Sequence, residues 1–137
     1  PCMLVGMATG LNQEISVQDI GLSGLTHADG LAVGRPSGFV GGVMKHFLSG
    51  EFTIWDGKLY DYLRDLLETE DIFLEPSACA ALEGPMQMER KEATRNYLMK
   101  EHLLDKMKDA THIAWATGGS LVPEMVREEY KNTYLKK

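Results

Sequence analysis

Apolar positions set out the chain's elements. Leu59, Tyr62, Leu63, Leu66 and Leu67 recur at helical spacing after Asp56, a residue that can cap a helix start. They predict an amphipathic helix after position 56. Phe39, Val40, Val43, Met44, Phe47 and Leu48 predict a second helix between Ser37 and Ser49, stopped by Gly50. Pro76 fits the first turn of a helix running through Ala78, Cys79, Ala80, Ala81 and Leu82. Tyr97 to Met107 predicts another. Pro123 starts a terminal helix with Val126, Tyr130 and Tyr134 on one face.

Short apolar runs predict strands at Cys2 to Ala8, Phe52 to Trp55, Ile72 to Leu74 and His112 to Thr117. Ile15 to Ile20 alternates apolar and polar residues, as a short strand or extended loop. Gly21 to Gly34 is glycine-rich and reads as a loop with at most a short helix, and Met86 to Asn96 as a surface connection. Strands alternating with helices imply an α/β fold with a parallel sheet covered on both faces. No repeat, low-complexity run or internal domain boundary is visible across residues 1–137.

Composition narrows the function classes. Of 137 residues, 44% are hydrophobic and 25% charged, an ordinary globular mix. The net charge of -6 argues against nucleic acid or an anionic membrane as main partner. No apolar run approaches the ~20 residues of a membrane span. Cys2 and Cys79 make no metal-binding spacing and no disulfide framework, and read as buried free thiols of a cytoplasmic protein. His27, His46, His102 and His112 share no ligand spacing. Pro1-Cys2-Met3-Leu4 opens inside an apolar run without a charged lead-in, so sequence before it is expected.

Three segments could carry chemistry. Thr117-Gly118-Gly119 ends an apolar run, where missing Cβ atoms let backbone approach a flat or anionic ligand. Without such a ligand it is a plain strand-end turn. Leu74-Glu75-Pro76-Ser77 follows a strand and opens a helix, where Glu75 either serves a site or only favours the helix start. Asp29-Gly30-Leu31 lies in the glycine-rich loop, either as a turn closed by Asp-Gly or as a source of carbonyl oxygens for a hard cation. Arg35-Pro36-Ser37 suggests an anion site, but a solvated or ion-paired Arg35 is the simpler reading.

In this order the three segments resemble the back half of fold-type-II pyridoxal-phosphate (PLP) lyases, nearest to the D-serine dehydratase family. The likeness covers nearly the whole chain, from Pro1-Cys2-Met3-Leu4 to Tyr134. It implies an incomplete, carboxyl-terminal part of the parallel-sheet, tryptophan synthase β-like catalytic domain. It implies an ammonia-lyase of amino-acid metabolism that turns D-serine, and D-threonine as a second substrate, into the keto acid and ammonia. An L-serine/L-threonine dehydratase shares the same three motifs. Ile15-Ser16-Val17-Gln18-Asp19-Ile20-Gly21 and Trp115-Ala116-Thr117 favour the D-serine branch. A free-standing, non-catalytic binding or regulatory domain is the alternative from another class.

By the same resemblance, the Thr117 hydroxyl meets the pyridine nitrogen of PLP and Gly118 lets the ring lie close. Gly30 packs against the ring, and Glu75 stands beside it to orient site groups or water. Asp29 and Leu31 correspond to positions whose carbonyls hold a monovalent or divalent cation in relatives. The glutamate that completes that cation site upstream is not in this chain. Nor is the Schiff-base lysine: the lysines here lie in charged, helical or terminal settings, and no tetraglycine-type phosphate loop occurs. The piece is therefore expected to be inactive without the amino-terminal part of the same enzyme.

Overall fold

Helices form at most places where the apolar spacing is helical, and also at several where it is not. The computed structural model describes residues 1–136. Its chain divides into two units, Pro1–Thr53 and Ile54–Lys137.

The first unit starts with α1 (Cys2–Thr9), where a strand is expected. The run Cys-Met-Leu-Val-Gly-Met-Ala contains only one β-branched residue, and Met, Leu and Ala are good helix formers. Gly10 ends the helix in the left-handed conformation, at φ 76°. A 3-10 turn follows at Asn12–Glu14, and the unit continues through turns in which the Asp19 carboxylate accepts from both the backbone N–H and the hydroxyl of Ser16. Those donors hold the Asp19 carboxyl below its usual range. A second 3-10 turn spans Asp29–Leu31. α2 (Gly38–Met44) is capped by Ser37, whose hydroxyl accepts from the Val40 N–H at 3.3 Å. It stops at Met44, before the expected end near Ser49, and leaves Phe39 and Phe47 exposed. The buried residues of this unit include Cys2, Ile15, Val17 and Ala28.

The second unit is built on α3 (Asp56–Glu70), the helix of the leucine stripe. Leu59 and Leu63 are its fully buried positions. Asp71 ends it at φ 54°, a left-handed conformation that Asp tolerates better than most residues. α3 packs against α4 (Pro76–Cys79), which has Pro76 in its first turn. A 3-10 turn, Ala80–Leu82, leads into α5 (Glu83–Arg90) and α6 (Glu92–Lys100). These two helices occupy the stretch expected to be a surface connection, and the helix expected at Tyr97 to Met107 gives way to a 3-10 turn at Leu104–Asp109. A hydrogen bond from the Tyr62 hydroxyl to Glu83 ties α3 to α5. α7 (Glu124–Thr133) begins after Pro123, as expected. Tyr60 of α3 stacks on Tyr134, ring centroids 4.6 Å apart, and meets Tyr130 edge-on at 6.1 Å. Phe73 stacks on Tyr130 at 6.4 Å.

The expected α/β parallel sheet is absent: among the described residues every regular element is helical, and none is a strand. Cys2 to Ala8 is helix; Phe52 to Trp55, Ile72 to Leu74 and His112 to Thr117 form no ladder. A strand is defined by a neighbour that accepts and donates along its edge. The 110–117 stretch has no such neighbour among the described residues, and Ile113 and Trp115 are 86% and 79% exposed. A short apolar run specifies burial better than it specifies period, and here it specifies neither.

Candidate functional site

The Thr-Gly-Gly loop and the Glu75 segment meet in the second unit. Glu75 stands at the cap position of α4, with extended backbone at φ -67° and ψ 152°. Its N–H donates to the Gly118 carbonyl at 3.2 Å. Its carbonyl accepts from the Ala78 and Cys79 N–H groups, which fixes the turn into the helix. One carboxylate oxygen accepts from the Ser77 hydroxyl at 2.8 Å.

Gly119 is required by this meeting, and Gly118 sits close against the movable end of the Glu75 side chain. A Cβ on Gly118 would lie 2.6 Å from the Glu75 carboxylate carbon. A Cβ on Gly119 would lie 2.6 Å from the Phe73 carbonyl oxygen and 2.7 Å from the Leu74 Cα. Gly119 also has φ 141°, a backbone conformation open essentially to glycine alone. Sequence reasoning assigns the missing side chains to ligand approach; here the close approach is to the neighbouring chain segment.

Beside this junction is a cleft of about 610 Å³, lined by Phe73, Leu74, Ala116, Thr117, Gly118, Ser120, Arg127 and Lys131, among others. Thr117 is exposed at its wall. Lys131 is engaged with Glu128 at 2.7 Å and Glu124 at 3.8 Å. Its pairing with Glu128 raises its own pKa and lowers that of Glu128. Cys79, fully buried, has its thiol pushed up to about 12, first by burial and then by the charge of Glu75. It is an inert thiol rather than a nucleophile.

The other predicted site residues belong to the first unit. Gly30 is exposed within the Asp29–Leu31 turn. The Asp29 carbonyl accepts from the Ala32 N–H at 3.1 Å, and the Leu31 carbonyl from the Val33 N–H at 2.8 Å. Each proposed cation ligand thus already closes a local turn. Among the described residues no group of three or more His, Cys, Asp and Glu side chains comes together for a metal. The Arg35 guanidinium donates to the Gln13 carbonyl at 2.8 Å, so it braces the unit's own backbone. Two residues of the junction escape sequence reasoning, Phe73 and Arg127. Phe73 reads only as strand filler, and Arg127 as one more charge on a polar helix.

No family model matches the chain. Curated relatives do. A probable D-serine dehydratase of Bacillus cereus (strain 03BB102) is 54% identical over 133 residues, covering 97% of this chain and 29% of the relative. The chain is similar to a segment of the D-serine dehydratases. The probable D-serine dehydratase of Bacillus anthracis (strain CDC 684 / NRRL 3495) gives the same identity and coverage. That of Bacillus mycoides (strain KBAB4) is 55% identical over 130 residues, or 95% of this chain. The resemblance inferred from the three motifs is borne out, and the chain spans about 29% of the length of these D-serine dehydratase relatives.

Proposed function

We propose that this chain is the carboxyl-terminal part of a cytoplasmic, PLP-dependent D-serine ammonia-lyase, which converts D-serine to pyruvate and ammonia. The observation that carries the reading is identity of about 54% over 97% of the chain to proteins named probable D-serine dehydratase. The geometry of the second unit supports it. A hydroxyl residue and a glycine line one cleft, with a carboxylate segment bonded to the glycine. The Thr117 hydroxyl on that wall is a donor suited to the nitrogen of a pyridine ring.

When bound, PLP supplies the electron sink that eases loss of the α-proton and the β-hydroxyl. The chain's own residues supply the setting. The Thr117 hydroxyl holds the pyridine nitrogen through a neutral hydrogen bond, which does not force a proton onto it as a carboxylate would. Gly118 lines the same cleft, with the Glu75 carboxylate against the place a side chain would take. Glu75, steadied by the Ser77 hydroxyl, orients site groups and water. Gly30 packs on the cofactor in the complete enzyme, and the Asp29 and Leu31 carbonyls are the candidate cation ligands there, each through a lone pair its turn does not use.

The lysine that would carry the cofactor and the phosphate-binding loop come from the remaining sequence of the complete enzyme. The exposed side chains of Ile113, Trp115 and Leu121 fit a surface covered by that remainder. Two buried free thiols, Cys2 and Cys79, fit a reducing compartment.

The test is pyruvate formation by the complete enzyme with D-serine and with L-serine, before and after removal of PLP. D-serine should be the better substrate by kcat/KM, and the activity should vanish and return with PLP. Preference for L-serine, or activity indifferent to PLP, would contradict the proposal.

A further inference from the structure

One side chain touches both arms of the junction. The Arg127 Nε–H donates to the Val122 carbonyl at 2.9 Å. Nη2 donates to the Gly119 and Ser120 carbonyls, each at 3.0 Å. The same guanidinium lies over the Phe73 ring, with Cζ 4.9 Å from the centroid. Phe73 belongs to the segment on which Gly119 rests, and its ring is stacked at 10° on Tyr130, one turn further along α7. Gly119 itself is buried, and its carbonyl also accepts from the Val122 N–H at 3.2 Å.

We propose that Arg127 is the positioning residue of the Thr117-Gly118-Gly119 loop, setting where the Thr117 hydroxyl stands on the cleft wall. The chemistry favours arginine in this place. Three carbonyls from residues close in sequence converge on one planar fork, and a loop with no regular ladder needs such partners for its backbone. A lysine offers a point charge and cannot span the same three oxygens while lying flat on a ring. Gly118 is held from the other side by the Glu75 N–H. The Glu75 and Val122 N–H groups hold the loop through backbone, whereas Arg127 holds it through a side chain. Its kinetic consequence rests on the reading of Thr117 as a cofactor-facing residue; its effect on the loop does not.

The test compares Arg127→Met and Arg127→Lys with the parent in the complete enzyme. Methionine keeps a stem over Phe73 and removes every donor; lysine keeps stem and charge and serves if the methionine variant folds poorly. Amide exchange across residues 118–122 should quicken about 10-fold or more in the methionine variant and less in the lysine variant, with the α3 amides unchanged. PLP affinity and kcat at saturating PLP should each fall about 10-fold in Arg127→Met, with partial rescue by lysine. A lowered Tm with unchanged loop exchange and unchanged kcat at saturation would make Arg127 a merely structural residue and overturn the proposal. If the parent enzyme has no D-serine activity, the functional reading fails separately. The exchange comparison then decides the role of Arg127 by itself: equal loop protection in parent and Arg127→Met overturns it.

Discussion

The two glycine motifs solve opposite problems. Gly118 and Gly119 bring one chain segment against another, so their missing side chains are matched by Glu75, Phe73 and Leu74. The Asp29–Leu31 turn closes on itself through the Ala32 and Val33 N–H groups, and its glycine faces outward. A glycine pressed between backbones is irreplaceable for packing. A glycine in an exposed, self-bonded turn is kept for what approaches it, if it is kept at all. Substitution separates the two cases.

Gly119→Ala should have the largest effect. The new Cβ would meet backbone at 2.6 and 2.7 Å, and the residue would be held at φ 141°. Backbone strain and overpacking, each of order 1–3 kcal/mol, should together lower stability by about 3 kcal/mol in urea unfolding. A loss under about 1 kcal/mol would mean that the loop is not pressed on Phe73 and Leu74 as described.

The next effect tests the burial beside the junction through pH. The Cys79 thiol is raised to about 12 from an ordinary value near 9.0. Between those values the folded protein keeps a proton that the unfolded chain has lost. The stabilising effect of this protonated thiol is complete below about pH 9 and declines as pH rises toward 12, by about 1.4 kcal/mol per pH unit for one group. Cys79→Ala should flatten that part of the alkaline stability profile. At pH 8.5 Cys79 should also resist alkylation in the folded protein and react only on unfolding. Rapid native labelling would contradict its burial.

Gly30→Ala should have the smallest effect, within about 0.5 kcal/mol of the parent, as expected for an exposed position away from packing. Unchanged stability with a raised PLP dissociation constant in the complete enzyme would sharpen the comparison, because it would show that Gly30 is needed for what approaches it. Unchanged stability and unchanged affinity would leave it a turn residue.

What the sequence makes legible follows from how local each cause is. The α3 stripe, Pro76 at a helix start and α7 after Pro123 all depend on neighbours within one or two turns, and all are present. The strand expectations depend on partners elsewhere, and they fail. Cys2–Thr9 becomes helix, and the 110–117 stretch finds no ladder among the described residues. Glu83–Arg90 and Glu92–Lys100 were hidden by polarity, since their charged residues cover the exposed faces of two short helices. At the site, Thr117, Gly118 and Glu75 are legible through their motifs. Their meeting through the Glu75 N–H and the grip of Arg127 are not, because both are tertiary contacts without a spacing rule. A hint lay in Arg127 itself, a lone arginine one turn into a helix that directly follows a glycine loop.

The account turns on Thr117 facing the pyridine nitrogen, and one set of spectra with rates tests this. Thr117→Ser and Thr117→Asp are compared with the parent in the complete enzyme, at equal PLP occupancy, by visible absorbance and by pyruvate formation from D-serine. Serine keeps the hydroxyl and should keep most of the activity and the parent spectrum. Aspartate should hold a proton on the ring nitrogen, shift the spectrum and slow elimination by about 10-fold for each 1.4 kcal/mol added to the barrier. An aspartate variant equal to the parent in both spectrum and rate would contradict the contact, and with it the assignment of the cleft beside Glu75 as the cofactor site.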